Sequence, residues 1–442
     1  MERSQSNPWA ARFEPLLDRE TIKQRAQVTV TPLTKLRSES TELACARLEA
    51  ALKTVFYPTS QCVDVLHRFV DMAYAHCVSA YPSGRAFLAG VYAKNSPLSE
   101  FSSPLLFTGL AGTGKTELKK ASRRILFDEG QVAVDHEHSP FSLRHPWYVS
   151  IHARSNPLDV LRELAQSDKG SADLVEKCKK VAFRDGIAFL VADEFQFATG
   201  SESANARVTQ MLLSLGYIGL PWVYNANFSL VGRLLKRPEE DRQRLLADWI
   251  ILQPDPPSSP DWQGTLRAQK NVAPDILAFD PIRDASEIYV FTAGRKRAVA
   301  KLLVQAFRNE HPRGGVVDIS AIKRAYHSPN FASYREESEI LANQAIRNCP
   351  DKNRKDLWCP LPLPPSATVA FANAAKEKRD ELVADAELRS ALNGEEMKTL
   401  RDIERGVGKS QKKRGEVVPL RRKAALTAED LKRNANWFKD QL

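Results

Sequence analysis

The residues best suited to chemistry form one octet, Gly109-Leu-Ala-Gly-Thr-Gly-Lys115-Thr116, which fits the pattern G-x-x-x-x-G-K-[ST]. Such a loop turns successive backbone N–H groups inward on a triphosphate, and the helix that follows adds the positive end of its dipole. Gly109, Gly112, Thr113 and Gly114 supply the turn and its amides. Lys115 reaches the β- and γ-phosphates, and the Thr116 hydroxyl is a ligand for Mg²⁺. The implied cofactors are ATP and Mg²⁺.

A second constellation is Asp193-Glu194, at the end of the apolar run Ile187-Ala-Phe-Leu-Val-Ala. Asp193 is the expected carboxylate partner of the metal, opposite Thr116. Glu194 is the expected base that polarises the attacking water for in-line displacement at the γ-phosphate. A further apolar run, Pro221-Trp-Val-Tyr, ends in Asn225-Ala-Asn227. An amide there can hold the lytic water and sense the γ-phosphate, and Asn227 is preferred over Asn225. Arginines stabilise transition-state charge in such sites, either in cis or from a neighbouring subunit. Arg242 and Arg244 in Glu239–Leu246 are the candidates for the neighbour's contribution, and Arg295 and Arg297 for a contact made from a lid.

These groups need a scaffold that brings strand ends together. The octet lies between an apolar run, Pro104–Thr108, and a helix-like segment, Glu117–Leu126. Further strands are expected at Pro146–Ile151, Ile187–Asp193 and Pro221–Asn227, with helices at Pro157–Gln166, Ala172–Arg184 and around Met211–Leu215. Continuous apolar strands alternating with helices read as a parallel sheet buried on both faces. Ligands of such sheets bind beyond the carboxyl ends of the strands, where all three motifs fall.

Upstream, Ser40–Tyr57 and Ser60–Val78 carry apolar residues at helical spacing. The arm Asn7-Pro-Trp-Ala-Ala-Arg-Phe-Glu-Pro-Leu-Leu17 is either a strap docked on the body or an exposed recruitment peptide. Downstream of Pro254–Pro260, helices at Ala298–Phe307 and Ile319–Tyr326 read as a small helical lid. Prolines recur from Pro350 to Pro365 as in a linker. The expected domains are an N-terminal arm and helical region (1–100), a nucleotide-binding core (101–255), a helical lid (256–348), and a linker with a basic tail (349–442).

The chain has 442 residues, 43% hydrophobic and 27% charged, with net charge +10 and pI ≈ 9.2. That size and composition fit a mostly globular protein of two or three domains, and the positive excess favours polyanionic partners. A basic run from Arg405 to Lys423, with Lys412, Lys413 and Arg414 at its centre, is a candidate DNA contact. The six cysteines lack metal-ligand spacing, and His136 and His138 read as surface-loop residues. No apolar run reaches the ~18–20 residues that span a bilayer. A soluble cytoplasmic protein without a membrane partner is therefore expected.

Taken together, Gly109–Thr116, Ile187–Gln196 with its Asp-Glu-Phe-Gln, and above all Ile218-Gly-Leu-Pro-Trp-Val-Tyr-Asn-Ala-Asn227 resemble the AAA+ transposition regulators TnsC and TniB, distant relatives of MuB. The resemblance covers residues 7–310, and the Ile-Gly-Leu-Pro strand is its discriminating piece. It implies an α/β fold of the AAA+ P-loop NTPase type, with a parallel sheet flanked by helices, a helical N-terminal region and a small helical lid. It also implies an ATPase that forms a homo-oligomeric ring or helical filament on double-stranded DNA. Its other partners would be a target selector of the TniQ/TnsD type and a transposase of the TnsB/TniA type. Arg154 and Arg207 are expected in loops facing the DNA. Two alternatives share the chemistry: a replication-loader or IstB-like DNA-remodelling ATPase, and a nucleotide-switched adaptor that hydrolyses slowly.

Overall fold

The computed structural model describes residues 7–126, 129–151, 156–167, 173–193, 202–363, 365–392 and 394–398. Two compact units divide the chain, Met1–Arg379 and Asp380–Leu442. Within the second, residues 394–398 are helical.

In chain order the helices are α1 (Pro8–Ala11), α2 (Arg19–Ala26), α3 (Thr41–Thr54), α4 (Ser60–Ala80), α5 (Gly84–Val91) and α6 (Lys115–Leu126). They continue with α7 (Pro157–Leu164), α8 (Leu174–Arg184), α9 (Glu202–Gly216), α10 (Phe228–Leu234), α11 (Glu239–Leu245) and α12 (Pro260–Lys270). The last are α13 (Ala285–Thr292), α14 (Lys296–Glu310), α15 (Ile319–Tyr326), α16 (Ala332–Arg347) and α17 (Pro365–Ala391).

The strands are β1 (Leu105–Gly109), β2 (Gly130–Val132), β3 (Phe141–Leu143), β4 (Trp147–Ser150), β5 (Leu190–Asp193), β6 (Trp222–Asn225) and β7 (Asp248–Leu252). β2 and β3 form a separate antiparallel pair, and the others form one parallel sheet in the order β4-β5-β6-β1-β7. Every residue of β1, β5 and β6 is buried, which is why each reads as an unbroken apolar run. β7 was not anticipated. It is an edge strand with Trp249 exposed and only Leu252 buried, so Asp248-Trp-Ile-Ile-Leu252 lacks that signature. The sheet, its strand order and the flanking helices make this an α/β fold of the AAA+ P-loop type.

Residues 1–100 are shared between two cores. α4 and α5 pack with the sheet, where Leu66, Phe69, Phe87 and Phe189 are fully buried. α3 instead contributes Ala44, Cys45, Leu48 and Leu52 to a core with Trp262, Leu266, Val299, Leu303 and Phe307 of α12 and α14. A Glu49–Lys301 ion pair at 2.5 Å and another between Glu42 and Arg308 tie α3 to α14. The lid thus borrows a helix from well upstream in the sequence.

The N-terminal arm is a docked strap. Trp9 stacks on Tyr81 at 5.2 Å and packs against Phe87 at 5.0 Å, while Phe13 and Leu16 are also buried. Asn7 caps α1 through its side-chain oxygen and donates from Nδ2 to the Tyr81 carbonyl at 2.9 Å. The proline-rich stretch after Cys349, expected as a linker, also packs: Leu357 joins Ala293 and Leu341 in a small core, and Leu361 joins the main one. Proline fixes an extended path there while the intervening leucines cover apolar surface. Among the described residues no helix is long and apolar enough to cross a membrane.

Candidate nucleotide site

β1 is an interior strand of the sheet, hydrogen-bonded to β6 on one side and to the edge strand β7 on the other. Its register sets Phe107 beside Asn225, and Ala192 of β5 lies beside Tyr224. The ends of β1, β5 and β6 therefore meet at one rim, with Gly109, Asp193 and Asn225 on it.

Beyond Gly109 the chain makes a tight turn before α6 begins at Lys115. Gly112 has φ +89°, and a Cβ there would lie 3.2 Å from the Cβ of Arg297. The left-handed φ favours glycine, and the close approach of Arg297 leaves little room for a side chain. Thr113 is buried, with its hydroxyl donating to the Leu110 carbonyl at 2.9 Å. Lys115 Nζ donates to the carbonyls of Gly109 at 2.5 Å and Leu110 at 2.8 Å. Burial, helped by the nearby Arg297 charge, pulls its pKa down to about 8. Among the described residues its hydrogen bonds go to these two loop carbonyls, which leaves the ammonium suited to an anion such as phosphate. Thr116 is exposed at the start of α6 and lines the same cavity.

Asp193 is buried at the end of β5. Asn225 Nδ2 donates to its Oδ1 at 3.2 Å, and Lys119 of α6 forms an ion pair with its other oxygen. Lys119 was not foreseen from the sequence. It lies one helical turn after Lys115, a spacing that places both ammoniums at the same rim. Asn227 lines the cavity, but its side-chain oxygen is engaged as the cap of α10, accepting from Leu230 N at 2.9 Å. Of the two asparagines, Asn225 is the one in contact with the metal-type carboxylate.

The lid supplies the opposite wall. Arg297 donates its backbone N–H to the Gly112 carbonyl at 3.1 Å and lines the cavity. Arg295, two residues away, is 2% exposed and turned elsewhere. Its guanidinium pairs with Glu337 and bonds to the Tyr334 carbonyl and the Ser338 hydroxyl, each at 3.2 Å. Arg295 therefore anchors α16, and Arg297 is the lid arginine at the phosphate loop.

The cavity has a volume of about 540 Å³ and extends from the phosphate loop to Phe56 and Tyr57 after α3, and to Thr265 and Gln269 of α12. These residues fit a nucleoside triphosphate with its metal. Amides of the Gly109–Lys115 loop and Lys115 would hold the phosphates, and Thr116 and Asp193 would hold Mg²⁺. That ion, when bound, neutralises charge on the phosphoryl oxygens.

The other predicted residues are dispersed. Arg242 is exposed on α11, with no side-chain partner among the described residues. Arg244 is held by the Tyr217 hydroxyl and Glu240, each at 2.9 Å, and sits over the Phe101 ring. Arg207 lies in α9 rather than a loop and is exposed. Val208, Met211, Leu212 and Leu215 are buried along one face of that helix, and their spacing carries it back past Arg207. Glu194, Arg154, Lys412, Lys413 and Arg414 lie outside the described residues.

No family model matches the chain, and neither does any curated protein sequence. The solved structures it matches are similar to it only at a low level. A structure of the Aeropyrum pernix ORC1 protein in complex with DNA is 18% identical, with a TM-score of 0.34, over 66% of this chain and 74% of that one. Domain III of the Thermotoga maritima replication initiation protein DnaA is 15% identical, with a TM-score of 0.29, over 55% and 88%. A katanin chain from a structure addressing its self-assembly is 14% identical, with a TM-score of 0.32, over 61% and 86%.

Proposed function

We propose that this chain is a Mg²⁺-dependent ATPase that assembles as a homo-oligomer on double-stranded DNA and regulates transposition. It does so by linking a TniQ/TnsD-type target selector to a TnsB/TniA-type transposase. The observation that carries the ATPase reading is the cavity lined by Lys115, Thr116 and Arg297, with Asp193 at the adjoining strand end beside Asn225 and Lys119 of the phosphate-loop helix. A half-buried lysine bonded to loop carbonyls, a strand-end carboxylate and a lid arginine are the parts that positioning and charge stabilisation of phosphoryl transfer require. Glu194, next to Asp193, is the base that activates water. Arg242, exposed and unengaged, suits the residue donated to a neighbouring subunit's site better than Arg244, which its own subunit holds.

DNA binding and the transposition role rest on the motifs and on charge. The Ile218–Asn227 stretch, whose strand β6 pairs with the phosphate-loop strand, is the part that resembles TnsC and TniB, and the net charge of +10 favours a polyanion. Arg154, Arg207 and the Lys412–Arg414 cluster are the proposed DNA contacts. The test is turnover with and without duplex DNA, alongside Glu194→Gln. DNA should stimulate hydrolysis, and Glu194→Gln should bind ATP yet turn over at least about 100-fold more slowly. Turnover indifferent to DNA would favour the slow adaptor instead.

A further inference from the structure

Gln269, in the last turn of α12, lines the same cavity as the phosphate loop. It is 5% exposed, and its side-chain oxygen is buried without a hydrogen-bond partner. Its backbone carbonyl accepts from the Asn271 and Val272 N–H groups, the latter at 3.2 Å. Leaving such an acceptor unpaired is costly, so a native fold keeps one where something else satisfies it.

Neighbouring polar groups are already committed. Thr265 donates to the Asp261 carbonyl at 3.0 Å, and Glu49 pairs with Lys301 and Lys53. The remaining walls near Gln269, from Leu52, Phe56 and Ala268, are apolar. A flat aromatic ring with a polar edge fits a slot of this kind.

We infer that Gln269 selects adenine, pairing its amide with the N6 amino group and N7 of the base. This rests on the nucleotide reading given above. A glutamine amide presents an acceptor beside a donor, and adenine presents a donor at N6 beside an acceptor at N7. Guanine presents O6 and N7, two acceptors, on the same edge. Neither orientation of the amide satisfies both, and the buried oxygen stays unpaired.

The test measures binding of ATP, GTP and purine riboside triphosphate, which lacks the 6-amino group, to the full chain and to Gln269→Leu. The wild-type protein should bind ATP about tenfold or more tightly than either analogue. Gln269→Leu should lose that advantage, with ATP falling about tenfold and the analogues changing by less than about twofold. Equal binding of all three by wild type overturns the inference without requiring any variant. So does a uniform loss across the three in Gln269→Leu, which would mark a purely structural side chain. If wild type binds no triphosphate, the nucleotide reading itself fails, and Lys115→Ala will then have no effect on any of the three.

Discussion

The backbone N–H of Arg297 rests on the carbonyl of Gly112 at 3.1 Å, so the first turn of α14 is clasped directly to the phosphate loop. α14 is also the helix that α3 grips from the N-terminal side. Charge arriving at Gly109–Thr116 is thereby felt by a lid whose core reaches back to Ala44 and Leu48. A nucleotide that draws Arg297 inward moves a whole packed layer.

Arg297→Ala should separate chemistry from fold. Loss of one charge-assisted contact to phosphate is worth about 1.5–3 kcal/mol, which is about 10–100-fold in ATP affinity or turnover. The backbone clasp to Gly112 survives, so thermal stability without nucleotide should change little. Arg295→Ala should behave in the opposite way. It removes the Glu337 ion pair and the bonds to Tyr334 and Ser338, leaving Glu337 with Arg354 alone among the described residues, and should lower the melting temperature. Steady-state ATPase assays and thermal melts on both variants check the pair.

Lys115 gives a pH signature. Its pKa, about 8, is below that of a free lysine because of burial and the Arg297 charge. Between about 8 and 10.5 the unfolded chain holds more protons than the folded one, so this residue makes stability without nucleotide rise with pH across that window. ATP pairs with the charged ammonium and restores its proton. Binding near pH 8 should therefore take up protons, and affinity should fall as pH climbs above 8. Calorimetry in buffers of different ionisation enthalpy reads the uptake directly. Proton release, or affinity flat to pH 10, would contradict it.

Lys119 holds the Asp193 carboxylate that the metal needs. Mg²⁺ must displace that ammonium, so Lys119→Met should lower the Mg²⁺ concentration for half-maximal ATPase by several-fold. The same change should cost about 1–3 kcal/mol of stability without metal, since it takes the ion-pair partner from a buried carboxylate. A Mg²⁺ titration of hydrolysis and a denaturant melt check the two halves.

Trp9→Ala tests the strap. Removing a fully packed indole from between Tyr81 and Phe87 should destabilise the fold by about 3–5 kcal/mol. Residual turnover per folded molecule should stay near wild type, because no strap residue lines the cavity.

The sheet was largely legible because buried parallel strands write themselves as unbroken apolar runs: Leu105–Phe107, Leu190–Ala192 and Trp222–Tyr224 each do so. Gly219 has a backbone reason visible only in three dimensions. At φ +81°, a Cβ there would lie 2.1 Å from the Ser99 carbonyl oxygen. What escaped the sequence depends on long-range packing. Half-exposed β7 has no periodic signature, and α3 looks like an N-terminal helix until its apolar face meets α14. Arg295 and Arg297 are indistinguishable as letters, because only the position of Glu337 decides which one turns away from the phosphate loop. Lys119 and Gln269 belong to no motif, and their roles come from the groups that face them.

The central claim is that nucleotide at Gly109–Thr116 governs assembly on DNA. Electron microscopy of the full chain with duplex DNA and a non-hydrolysable ATP analogue tests it most directly. The account predicts rings or helical filaments around the duplex with the analogue, and none when the nucleotide is omitted or Lys115 is replaced by alanine. Nucleotide-bound monomers that leave the duplex bare would contradict it.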